Sequence, residues 1–90
     1  MLAHIWNGTG QLELARGHVD AAVPLLERAV AMREKDGEAP DLAESRFALA
    51  RALPGGERAR SLAVAARDAY RTLGPNFATQ LAEVEAWLAK

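Results

Sequence analysis

The sequence predicts an all-α fold in which helix–turn–helix pairs stack as an array and one further helix closes the end. Three observations carry this expectation. Apolar residues recur at helical spacing through five segments, and glycine and proline punctuate the joints between them. Small residues recur as well: Ala22 and Ala29 are seven apart, as are Ala59 and Ala66, and the two pairs lie 37 residues apart. Gly10 and Ala50, on the helices that precede those pairs, are separated by 40. A period in this range with helix–turn–helix content is that of a solenoid. The competing arrangement is a plain bundle of four or five helices whose alanines recur by chance. Finally, half the residues are apolar, but 20 of the 90 are alanine, so the core gains from close approach of helices rather than from bulk.

Helix 1, about 2–16, places Leu2, Ile5, Trp6, Thr9, Gly10 and Leu12 at helical spacing. Asn7-Gly8-Thr9-Gly10 opposes it, because two interior glycines cost roughly 2 kcal/mol relative to alanine and Asn-Gly is a turn signal. A phosphate-binding loop would need a preceding strand and a suitably spaced lysine or further glycines, none of which is present. Gly10 is better used as the hole into which a neighbouring helix fits. Gly17 ends helix 1, and Asp20 stands where an acid favours a new start.

Helix 2, about 19–36, carries Val19, Ala22, Val23, Leu26, Ala29 and Val30 on one face, with Pro24 in its second turn removing a backbone bond. Gly37 ends it and Pro40 opens helix 3, about 40–53, with Leu42, Ala43, Phe47, Leu49, Ala50 and Leu53. After Pro54-Gly55-Gly56, helix 4, about 56–73, has the cleanest apolar stripe, from Ala59 through Leu62, Ala63, Ala66, Ala69 and Tyr70 to Leu73. Gly74-Pro75 supplies a stop and a start. Helix 5, about 75–89, shows Phe77, Leu81, Val84 and Leu88 on one side only, as an end helix should.

Composition bounds the function. Ninety residues make one small domain. With no cysteine, neither a disulfide framework nor a thiolate metal site is available. No apolar run is long enough to span a membrane and no signal peptide opens the chain, so a soluble, cytoplasmic protein is expected. Charge is uneven: residues 1–45 carry a net of −4, residues 46–71 a net of +4, and residues 72–90 a net of −1. This polarity either marks solvated helix faces or steers a partner or a head-to-tail copy. Nucleic acid is not expected, since the arginines are not interleaved with aromatics and the chain is slightly acidic. His4 and His18 are too few for a metal site, Glu83 and Glu85 point apart on their helix, and Ser45 and Ser61 lack a base nearby in sequence. No catalytic residue, cofactor or metal is therefore expected.

Trp6, Gly10, Gly17, Ala22, Leu26 and Ala29 together resemble the tetratricopeptide repeat family. A second copy matches more weakly through Leu49, Ala50, Ala59, Ala63 and Ala66; Arg46 stands where its aromatic belongs, and its turn is shortened to Pro54-Gly55-Gly56. The resemblance spans about residues 3–73, with repeat 1 at about 3–36, repeat 2 at about 40–73, and a capping helix at about 75–89. It implies a right-handed superhelix whose concave face, lined by the first helix of each pair, binds a protein or peptide. Carried over by position, that face includes His4, Asn7, Gln11 and Leu14 of helix 1 and Glu44, Phe47 and Arg51 of helix 3. Phe47 either lines the groove or is buried between helices 2 and 3. One subclass of the family binds the C-terminal carboxylate of chaperones through lysine, arginine and asparagine. Here Glu44 and Ala48 stand where the second copy should offer cations, so a carboxylate would meet repulsion.

Helix 1 opens with Leu2, Ile5 and Trp6 and no polar helix in front of it. Solenoid ends need such protection. The chain is thus expected to be the C-terminal piece of a longer protein, or to pair with itself through Leu2, Ile5 and Trp6 as a homodimer. Its wording is similar to the terminal arrays of large bacterial signalling and regulatory proteins. Two functions follow as expectations: a non-catalytic scaffold that captures a peptide, or an assembly element that self-associates.

Overall fold

The computed structural model describes residues 2–90, with side chains from residue 5 onward. Met1 and the side chains of residues 2–4 lie outside the described residues, and with them the positions expected of His4 and Leu2. Five α-helices follow one another: α1 (Leu2–Ala15), α2 (Val19–Asp36), α3 (Ala39–Ala52), α4 (Glu57–Leu73) and α5 (Ala78–Leu88). Among the described residues there is no strand. Each helix packs on the next in sequence, and α1 also touches α3. The whole measures 32 × 30 × 20 Å.

Helix α1 runs unbroken through Gly8 and Gly10. The two glycines differ in why they are tolerated. A Cβ on Gly10 would lie 2.8 Å from Leu26 Cγ and 2.9 Å from its Cδ2, whereas a Cβ on Gly8 would meet nothing within 4 Å. Gly10 lets the backbone of α1 rest on a fully buried leucine of α2. The chain then reverses at Gly17, whose φ of 82° lies in the left-handed region that a side chain disfavours. Across this turn His18 Nδ1 stands 3.2 Å from Glu13 Oε2, a carboxylate partner five residues back that helical spacing does not suggest.

Two cores form. In the first, Ala22, Leu26 and Val30 of α2 meet Ala48, Leu49 and Ala52 of α3, flanked by Leu14, Val23, Leu42, Leu53 and Leu62. In the second, Ala43 and Ala50 of α3 meet Ala63, Ala66 and Tyr70 of α4 and Val84 of α5. The repeated alanines Ala22, Ala29, Ala59 and Ala66 are all fully buried. Ala22 belongs to the first core and Ala66 to the second. Leu26 and Leu49, completely enclosed, each contribute about 1.5–3 kcal/mol of apolar burial.

The end helix differs from expectation at its start. Pro75–Phe77 form a 3-10 turn, and Phe77, at φ −111° and ψ 22°, departs from helical geometry before α5 begins at Ala78. That kink lets Phe77 lie on Tyr70, with ring centroids 5.8 Å apart and planes 22° from parallel. Arg71 of α4 pairs with Glu85 of α5 at 2.9 Å, an exposed contact worth under about 1 kcal/mol. Val84 and the neighbouring Leu81, Trp87 and Leu88 hold α5 in place.

Candidate functional site

A cleft of about 280 Å³ opens between α1, α3, α4 and the start of α5. Gln11 comes from α1; Pro40, Asp41, Glu44, Phe47 and Arg51 come from α3. Successive turns of α3 place the last four along one face of that helix. The opposite wall is Tyr70, Phe77, Gln80 and Glu83. The volume suits one long side chain rather than a drug-sized molecule.

Of the seven groove positions expected from sequence, His4 lies outside the described side chains, and the structure brings Gln11, Glu44, Phe47 and Arg51 together in this cleft. Asn7 and Leu14 are placed elsewhere. Leu14 packs against the first core. Asn7 is only 4% exposed and is spent on a buried network: its Oδ1 accepts from Ser45 Oγ at 2.7 Å, and its Nδ2 donates to Glu44 Oε1 at 3.2 Å. Arg33 completes the network, donating to Ser45 Oγ at 2.8 Å, to the Asp41 carbonyl at 2.9 Å and to Glu44 Oε1 at 3.4 Å. Ser45 is fully buried there and Arg33 nearly so. These residues join α1, α2 and α3. Asn7, one turn before Gln11 on α1, is enclosed at the seam where α1 meets α3, and its amide is taken up by Ser45 and Glu44.

Phe47 is not enclosed between α2 and α3. It packs against the second core, stands edge-on to Trp87 at 6.2 Å, and carries the Arg51 guanidinium 4.9 Å above its ring. Such a cation over an aromatic face gains about 0.5–1 kcal/mol at an open site. Of the association positions, Ile5 is 59% exposed, and Trp6 is half-buried with Arg28 5.9 Å over its ring. Leu12 and Val19 are exposed too.

The charge in the cleft is unbalanced. Asp41, Glu44, Glu83 and Arg51 are its charged lining residues; Glu44 is ion-paired with Arg33 at 3.4 Å, which leaves Asp41 and Glu83 against the one guanidinium of Arg51. Among the described residues, neither the Asp41 nor the Glu83 carboxylate has an ion-pair partner. Tyr70 registers the effect: its phenol is pushed above the ordinary value, first by burial and then by the negative fields of Glu44, Glu83 and Asp41. The side chain is 4% exposed and lines the cleft; its hydroxyl makes no hydrogen bond among the described residues and is not sealed from solvent.

Tyr70, Phe77, Gln80 and Glu83 are cleft residues that helical patterning did not single out. Tyr70 and Phe77 read only as apolar stripe, and Gln80 and Glu83 as positions away from it. The available signal was the glutamate and glutamine of the end helix sharing one face three residues apart. Among the described residues no group of three or more histidine, cysteine, aspartate or glutamate side chains is arranged to hold a metal, and no helix is long and apolar enough to cross a membrane. No protein-family model, curated protein or solved structure matches this chain.

Proposed function

We propose that this chain is a non-catalytic protein-interaction scaffold of the tetratricopeptide kind. It would consist of two helix–turn–helix units wound as a right-handed superhelix, ended by α5, with a partner peptide held in the cleft. One observation supports this above the rest: residues 36 positions apart, Gln11 and Phe47, from the first helices of two successive pairs, line the same concavity. The fully buried alanines at matching places on α2 and α4 support the repeat itself. A second reading is favoured by a separate feature. Ile5 and Leu12, seven apart on α1, are 59% and 49% exposed, with Val19 beyond the turn at 39%, an apolar row suited to a second copy.

Substitution separates the two. Arg51→Ala and Phe47→Ala, each checked for retained helicity by circular dichroism, are expected to abolish retention of peptides selected on the wild-type chain while leaving its sedimentation unchanged. If instead only Ile5→Glu alters behaviour, by converting a sedimenting dimer to a monomer, the scaffold reading gives way to self-assembly.

A further inference from the structure

The peptide-capture reading leaves open what kind of side chain the cleft takes. Resting on that reading, we propose that the cleft receives the cationic head of an arginine or lysine from an extended partner peptide. Three independent features of the walls converge on this. The carboxylates of Asp41 and Glu83 stand at opposite sides of the opening, one on α3 and one on α5, and neither is neutralised by an ion pair among the described residues. Glu44 lines the same cleft, but its charge is met by Arg33 at 3.4 Å. Its Oε1 accepts from Asn7 and Arg33, which fixes the carboxylate and leaves Oε2 without a partner among the described residues.

The floor is aromatic, with Phe47, Tyr70 and Phe77 all bordering the same space. Arg51 shows that this floor accepts a guanidinium, since it lies over the Phe47 ring although carboxylates are within the same cleft. Tyr70 and Phe77 are stacked on each other, so beside them an inserted head would find apolar packing for its methylene stem, with the Asp41 and Glu83 carboxylates to take its charge. The Tyr70 hydroxyl, on a side chain otherwise enclosed, supplies the remaining polar contact, and as an acceptor it can take an N–H from the inserted head. An acidic side chain would meet the two unpaired carboxylates of Asp41 and Glu83, and an apolar one would leave them desolvated without compensation.

The test is selection of a phage-displayed library of random dodecapeptides on the immobilised wild-type chain, followed by fluorescence polarisation of the enriched peptides. The expected result is an arginine or lysine at a recurring position. Replacing that arginine by citrulline, or that lysine by norleucine, is expected to weaken binding about tenfold or more. The double variant Asp41→Asn/Glu83→Gln should show a loss of similar size with unchanged helicity, and Tyr70→Phe a loss of about fivefold. Peptides enriched without a cation, or bound as well by the double variant, overturn this inference while capture itself survives. No enrichment over a blank surface overturns both. If the cleft variants instead dissolve a self-assembly and no peptide is retained, the occupant is a second copy and the proposal fails.

Discussion

Tyr70 joins core and cleft in a single side chain, and its ionisation is a direct probe of both. Burial and the three surrounding carboxylates both disfavour the phenolate, so the native state holds the proton to higher pH than the unfolded chain does. The sign follows: stability from this group is complete below the ordinary tyrosine pKa of about 10 and declines as pH rises above it. Because the chain has one tyrosine, phenolate absorbance during alkaline titration reports this site alone. The midpoint is expected above the ordinary value and should fall part of the way back in Asp41→Asn/Glu83→Gln, burial accounting for the remainder. A wild-type midpoint at or below the ordinary value would contradict the charged cleft. Residues of this kind are hard to read from sequence. Tyr70 fits an apolar stripe as well as any core residue does, and only docking of α5 opposite α3 turns its edge into part of a site.

Among the elements, α1 sets local preference against packing. Its Asn-Gly-Thr-Gly run has the composition of a turn, yet the helix continues because Gly10 is required where it lies on Leu26. Alanine should therefore act oppositely at the two glycines. Gly8→Ala, with open space around the new Cβ, is expected to stabilise by up to about 1 kcal/mol. Gly10→Ala, pressed into a leucine with no exposed surface to retreat to, should destabilise by about 1–3 kcal/mol despite the same gain in propensity. Urea unfolding followed by circular dichroism measures both, and equal shifts would remove the packing role of Gly10. Helix limits were legible because backbone punctuation is local: Gly17, Gly37, Pro40 and the Pro54-Gly55-Gly56 and Gly74-Pro75 runs all fall at the joints. The 3-10 turn at Pro75–Phe77 was not, since stacking on Tyr70 is a tertiary contact.

At the scale of the whole molecule, the first hairpin is fastened to the second partly by directed hydrogen bonds. Asn7, on α1, and Ser45, on α3, are each enclosed and depend on one another, with Arg33 of α2 bonded to the serine. Removing one partner leaves a buried polar group unmatched, so Asn7→Ala and Ser45→Ala are each expected to cost about 1–3 kcal/mol. The two losses should not add. A coupling of about 0.5–3 kcal/mol in a double-mutant cycle is expected, and strict additivity would show that the bond has no part in joining the hairpins. The tetratricopeptide resemblance implied a groove position for Asn7, and such a carry-over does not tell which polar side chains a neighbouring helix will claim, as Ser45 and Glu44 claim Asn7 here. Gln11, one turn further along α1, did fall on the cleft side.

The cleft takes its walls from points as far apart along the chain as Gln11 and Glu83. It exists only while the last helix is seated. An occupant would accordingly act as a clasp, slowing every excursion in which the tail lifts away, and the tail's readiness to lift would in turn set how long an occupant stays.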